Sequence, residues 1–167
     1  MKRGFYTILG AQFFSSLADN ALLIAAIALL IELEGPAWMT PLLKFFFTVS
    51  YVILAPFVGP FADAWPKGKV MFVTNAIKVI GCLLLLFYAF ISSFGIEEYI
   101  VVLVAYGVVG FGAAAYAPAK YGIVTELLPP EKLVVANAWL EGLTVISAIV
   151  GFVVGGQIGR ASCRERV

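Results

Sequence analysis

Long apolar runs alternate with short polar segments along the chain. Five runs have the length and hydropathy of membrane-spanning helices, and they cover residues 5–31, 42–61, 70–91, 99–116 and 133–156. About twenty apolar residues in a helix are enough to cross the roughly 30 Å hydrocarbon core of a bilayer. The pattern therefore predicts an all-α fold, a polytopic membrane helix bundle formed by residues 1–156.

Polar side chains in the first predicted helix share one face. Gln12, Ser16 and Asp19 are spaced by four and then three residues, and Asn20 follows directly. A carboxylate in mid-membrane costs about 2.5–3.5 kcal/mol on insertion scales, so Asp19 should face protein or water. The alternative is a structural aspartate that is protonated or hydrogen-bonded. Because ionisable groups inside membranes are functional by default, Asp19 and Asn20 are candidate binding residues.

The fifth predicted helix carries a second face of polar and small residues. Steps of three or four residues connect Asn137, Glu141, Thr144, Ala148, Gly151 and Gly155. Gly151 and Gly155 form a G-x-x-x-G pair, which is typical of a close helix contact. Asn137 and Glu141 are candidate binding residues, and Glu141 either binds or gates, or pairs with a lysine such as Lys78. Lys78 lies near one end of the third helix, where we expect it to snorkel to the surface.

The fourth predicted helix is rich in small residues and ends in a segment with a lysine. Gly110, Gly112 and the alanines that follow allow helix backbones to approach closely. Tyr116 and Lys120 flank Pro118, which lacks a backbone donor and should bend or end the helix here, leaving Lys120 near the cytoplasmic mouth. Lys120 is either an ordinary lysine of a cytoplasmic loop or a cation for a phosphate-bearing headgroup.

Composition argues against several classes of protein. Hydrophobic residues make up 62% of the chain and the mean hydropathy is +1.02. Both values are far above those of soluble globular proteins. With no histidine and two cysteines, no Cys/His metal site, disulfide framework or cofactor is expected. A membrane enzyme would need a nucleophile or general base, commonly with histidine. A structural scaffold would not need Asp19 or Glu141, and a net charge of +1 does not favour nucleic-acid binding.

Basic residues predict the orientation of the helices. With five spans threaded alternately, one side holds Lys2, Arg3, Lys67, Lys69, Lys120 and Lys132. The other side holds Glu32, Glu34, Glu97, Glu98 and a single lysine, Lys44. The positive-inside rule therefore places the amino terminus in the cytoplasm. A cleaved signal peptide is the other reading of the first span, but the run is too long and contains Asp19.

Residues 157–167 do not fit this orientation. They carry Arg160, Arg164 and Arg166 on the side that is predicted to lie outside. A native extracytoplasmic loop is one explanation. Residues 158–167, IGRASCRERV, however, resemble one translated frame of a common short-read sequencing adapter. We therefore expect residues 157–167 not to be native, and the natural chain to continue beyond the fifth helix.

A charged turn separates the second and third predicted helices, with the sequence GPFADAWPKGKVM. Its spacing resembles the G-x-x-x-D…G-[RK] signature found at this position in the major facilitator superfamily, although Ala64 and Pro66 depart from the usual pattern. The resemblance implies a gating loop in which Asp63 pairs with helix ends and basic partners. The residues that match this gating role are Gly59, Asp63, Lys67, Gly68 and Lys69.

Five further segments indicate a particular branch of this superfamily. AQF, DNALL, APFVG, GAAAYAPAKYGI and KLVVAN, in this order from residue 11 to residue 137, are similar to the bacterial lysophospholipid transporter branch of the superfamily. That branch implies twelve helices, of which this chain supplies an amino-terminal part. It also implies inward flipping of lysophosphatidylethanolamine and similar lipids across the bacterial inner membrane. A cytoplasmic acyltransferase would then restore the second acyl chain.

The resemblance assigns the polar residues to a substrate. Asp19 and Asn20 would engage the ammonium or hydroxyls of the headgroup and Lys120 its phosphate. The full candidate binding set is Asp19, Asn20, Tyr116, Lys120, Asn137 and Glu141. Proton-driven members often carry arginine where this chain has Tyr106, and antiporters often carry proline where it has Gly156. Facilitated flipping is therefore expected, and the alternative is another transporter of the superfamily, such as a proton-coupled drug or solute exporter.

Overall fold

The structure, a computed structural model, describes the backbone of residues 3–164 and their side chains except at positions 58, 61–63 and 158–164. The helices are α1 (Arg3–Glu32), α2 (Met39–Ala64), α3 (Lys67–Leu86), α4 (Tyr88–Ser92), α5 (Glu98–Leu127) and α6 (Pro130–Arg164). Residues 3–164 contain no strand. All helices except α4 include a span long and apolar enough to cross a membrane. The predicted all-α, multi-pass membrane bundle is confirmed.

Helix α5 is the centre of the bundle. It packs against α3 on one side and α2 on another, while α1 packs mainly against α6. One apolar cluster around Phe5 and Leu140 joins α1, α3, α5 and α6, and a second around Leu43 and Val102 joins α1, α2, α3 and α5. In the most apolar stretch of α5, 67% of the residues are buried, as expected for a helix enclosed by others.

Glycines allow the closest helix contacts, as the sequence predicts. A Cβ atom on Gly112 of α5 would lie 2.8 Å from the carbonyl oxygen of Thr74 in α3. A Cβ atom on Gly151 of α6 would lie 2.7 Å from the carbonyl oxygen of Leu17 in α1, and the next glycine of the motif, Gly155, is equally close to α1. Without a hydrophobic drive between helices in lipid, this close packing is a main source of helix association.

Pro118 lies inside α5, so the prediction that the fourth helix ends there is wrong. Proline removes one backbone donor, but membrane helices tolerate it where neighbouring helices and polar groups surround the freed backbone. The helix continues to Leu127, and the Leu128 amide closes it by donating to the Val124 carbonyl. Lys120 therefore lies inside α5, and it is buried among the neighbouring helices.

Two other boundaries differ from the predicted ones. The third span breaks at Phe87, whose φ of −100° and ψ of 21° leave the helical region, and the separate short helix α4 follows. Helix α2 continues through Pro56 and Pro60 to Ala64, so the predicted charged turn shortens to two residues. Helix α6 runs past residue 156. Nothing in the structure tests the expectation that residues 157–167 are not native, and it stays a prediction.

Candidate functional site

A polar cavity of about 530 Å³ opens between the helices of the bundle. Helix α1 contributes most of the polar lining, and α2, α3, α5 and α6 supply the other groups. The polar and charged residues that line it are Gln12, Ser15, Ser16, Asp19, Asn20, Lys44, Lys78, Lys120 and Thr144. Phe47 and four tyrosines form its aromatic wall. The predicted polar face of α1 thus lines one cavity.

Lys78 reaches across this space from α3 to α1. Its ammonium nitrogen donates to Asp19 Oδ2 at 2.6 Å and to Ser15 Oγ at 2.8 Å, and Lys78 is only 7% exposed. The expectation that Lys78 snorkels to the surface is wrong, because Asp19 faces it and offsets the cost of burying its charge. The ammonium also lies 5.2 Å from the ring centre of Tyr116.

Lys120 provides a second buried cation. The residue is 6% exposed, and its ammonium nitrogen lies 3.8 Å from Glu141 Oε1 and 4.4 Å from the ring centre of Tyr121. The Tyr121 hydroxyl donates to the same Glu141 carboxylate. Glu141 therefore pairs with a lysine, as one of the two alternatives predicts. The partner is Lys120 and not Lys78. The Glu141 side chain is 55% exposed and lies at the rim.

Polar groups of α1 and α6 meet on the opposite wall. Gln12 Nε2 donates to Thr144 Oγ1 at 3.0 Å, and Asn20 Nδ2 donates to its own helix at the Ser16 carbonyl. Asn137 is exposed and lies outside the lining of the cavity. The expected inward face of α6 thus reaches the cavity at Thr144, whereas Asn137, about two turns earlier in the helix, lies beyond the lining.

The charge of the lining is unbalanced. One carboxylate, Asp19, faces three lysines, Lys44, Lys78 and Lys120. Pairing with Asp19 neutralises Lys78, and the exposed Glu141 compensates Lys120 only weakly. The cavity is therefore suited to an anionic or zwitterionic group. Lys78 lines the cavity but is not among the predicted binding residues, although a lysine inside an apolar run is the signal that would have identified it.

The predicted gating residues lie at one end of the bundle. Lys67 begins α3 and forms an ion pair with Glu126 near the end of α5. Gly59 lies inside α2. A Cβ atom added to Gly59 or Gly68 would have no neighbouring atom within 4 Å. Lys69 is exposed. The side chain of Asp63 lies outside the described residues, so its role in gating stays a prediction.

Comparison with known proteins decides the family. The family model of the Major Facilitator Superfamily matches residues 8–162. The chain belongs to the major facilitator superfamily. No solved structure matches the chain.

The similar relatives within this superfamily are lysophospholipid transporters, as the sequence motifs predict. Lysophospholipid transporter LplT of Yersinia enterocolitica is 44% identical over 158 residues, which are 95% of this chain. The corresponding transporters of Yersinia pestis and Yersinia pseudotuberculosis are 42% identical over 156 residues, or 93% of this chain. In each case the chain spans 36% of the relative's length.

Proposed function

We propose that this chain is the amino-terminal part of a transporter that moves lysophospholipids inward across the bacterial inner membrane by facilitated flipping. The observation that carries the proposal is the polar cavity with two buried lysines, Lys78 and Lys120, inside a bundle of apolar helices. Buried charges in a membrane are expensive and mark substrate paths. The names of the similar Yersinia transporters support the same substrate class.

Each polar group of a lysophospholipid headgroup has a complementary residue in or beside the cavity. Its phosphate is complementary to Lys78 and Lys120, which bind it as point charges. A headgroup ammonium is complementary to Asp19, which Lys78 releases as it turns to the phosphate, with Asn20 beside it. Tyr116 lies beside Lys78 in the lining and contributes its ring and hydroxyl. Glu141, at the rim, attracts the ammonium of an entering headgroup.

The direction of transport follows from the fate of the lipid. A cytoplasmic acyltransferase that restores the second chain keeps the inner concentration of lysolipid low, so facilitated movement runs inward. The basic loops support a cytoplasmic amino terminus. The protein's own contribution is recognition without bond chemistry, and Tyr106, at the position where proton-driven members often carry arginine, supports uncoupled transport.

Substitution of Asp19 tests the proposal. The assay needs the full-length transporter, in which residues 1–156 are followed by the remaining segment of the Yersinia enterocolitica relative, in cells without their own lysolipid uptake. We expect Asp19→Asn to abolish uptake of lysophosphatidylethanolamine, because the carboxylate that balances Lys78 is lost. Glu34→Gln, an exposed carboxylate outside the cavity, is the control and should transport normally. Normal uptake by correctly inserted Asp19→Asn removes the Asp19 charge from the mechanism.

A protonophore separates facilitated flipping from proton-coupled transport. We expect lysolipid uptake to continue after the proton gradient is dissipated, because the consumption of the lipid supplies the driving force. Uptake that collapses under the same treatment favours a coupled mechanism. Absence of lysolipid uptake, together with export of a drug or polar solute, favours the other transporters of this fold.

A further inference from the structure

Two buried polar atoms in the cavity lack hydrogen-bond partners among the described residues. They are Tyr116 Oη and Gln12 Oε1. Both residues line the same cavity, and they are 4% and 6% exposed. Because buried polar atoms in native proteins are nearly always paired, two unpaired atoms in one binding cavity point to a ligand group.

The hydrogen-bond network defines what each atom offers. Thr144 Oγ1 donates its single proton to the Leu140 carbonyl at 2.8 Å, so it can only accept from Gln12. Gln12 Nε2 donates to Thr144 Oγ1 at 3.0 Å, which leaves Gln12 Oε1 as a free acceptor. The phenol of Tyr116 has a free donor. One donor and one acceptor together are the complement of a hydroxyl group, which both accepts and donates.

We propose that Tyr116 and Gln12 recognise the free glycerol hydroxyl of a lysophospholipid and thereby select it against diacyl phospholipids. This inference rests on the proposed function. The hydroxyl lies on the carbon next to the one that carries the phosphate ester, and the Lys78 ammonium lies 5.2 Å from the centre of the Tyr116 ring. A phosphate bound at Lys78 therefore brings the hydroxyl close to Tyr116.

Opening of the site is part of the mechanism. Both atoms have almost no exposed surface, so the hydroxyl reaches them only when the site opens. We expect separation of the Lys78–Asp19 pair around the phosphate to open it. In a diacyl phospholipid this hydroxyl is esterified, so it cannot donate to Gln12 and carries a second chain. A site that is built to hydrogen-bond a hydroxyl rejects an analogue without it more strongly than an apolar pocket can, because its own polar groups stay unpaired.

The test compares two lipids and two forms of the full-length transporter defined above. The lipids are lysophosphatidylethanolamine and its 2-deoxy analogue, which has the same chain and headgroup but no glycerol hydroxyl. We expect the unmodified transporter to prefer the hydroxylated lipid by about tenfold or more. Tyr116→Phe removes only the phenol oxygen, so it should lower uptake of the hydroxylated lipid about tenfold and should not lower uptake of the analogue.

Further variants keep the test decisive. Gln12→Met retains the length of the side chain and should also reduce the preference for the hydroxylated lipid over the analogue. This variant tests the inference if Tyr116→Phe fails to insert into the membrane. Tyr6→Phe, in an exposed tyrosine outside the cavity, should keep the full preference. Equal losses for both lipids in the variants, or equal uptake of both lipids by the unmodified protein, overturn the inference while lysolipid transport stands. Uptake of neither lipid by the unmodified protein overturns the proposed function and this inference with it.

Discussion

Lys78 Nζ lies 2.6 Å from Asp19 Oδ2, and this ion pair joins α3 to α1 inside the bundle. The two residues are 59 positions apart in the sequence. Lys78 is buried and the Asp19 side chain is only 19% exposed. Each charge can lie there only because the other is present, since the free energy of desolvating a single charge far exceeds what the surrounding apolar groups return. The pair therefore links the stability of the bundle to the electrostatics of the cavity.

Removal of one partner of this pair should destabilise the protein more than removal of both. We expect Asp19→Asn or Lys78→Met alone to lower the free energy of unfolding by about 3–5 kcal/mol, because an unpaired charge stays buried. The double variant should lose less than the sum of the two single losses. Thermal unfolding of the purified full-length transporter in detergent measures this, and strictly additive losses contradict the coupling.

The contact between α1 and α6 should fail when Gly151 acquires a side chain. The Cβ atom in Gly151→Ala would lie 2.7 Å from the Leu17 carbonyl oxygen, so the helices must separate, at a cost of about 1–3 kcal/mol. Gly142→Ala in the same helix is the matched control, because nothing lies within 4 Å of its Cβ position. Thermal unfolding should show a loss for the first variant and none for the second. Equal behaviour of the two variants argues against this helix contact.

Lys120 should matter more for uptake than its partner Glu141. Lys120 is buried in the cavity lining, so Lys120→Met should lower lysolipid uptake by about tenfold or more, the loss expected for one charged hydrogen bond. Glu141 is half exposed at the rim, and Glu141→Gln should lower uptake less than about threefold. Initial uptake rates, corrected for the amount of inserted protein, compare the two. A larger effect of Glu141→Gln would place substrate recognition at the rim.

Much of the candidate site follows from helical spacing. The polar face of Gln12, Ser16 and Asp19 lines the cavity, and the glycine pair of α6 contacts α1, because both depend on the regular geometry of one helix. Local patterns did not predict the course of α5. The effect of Pro118 depends on the helices that surround it, and their packing lets α5 continue and bury Lys120.

The sequence alone determined the five spans, the all-α class and the membership of the superfamily. Hydrocarbon requires long apolar helices wherever the chain crosses it, so length and hydropathy are local properties that can be read directly. Only the tertiary structure decided which partner each buried charge has: Asp19 for Lys78, and Glu141 for Lys120. Such pairs depend on which helices lie side by side, and that arrangement is the result of packing over the whole bundle.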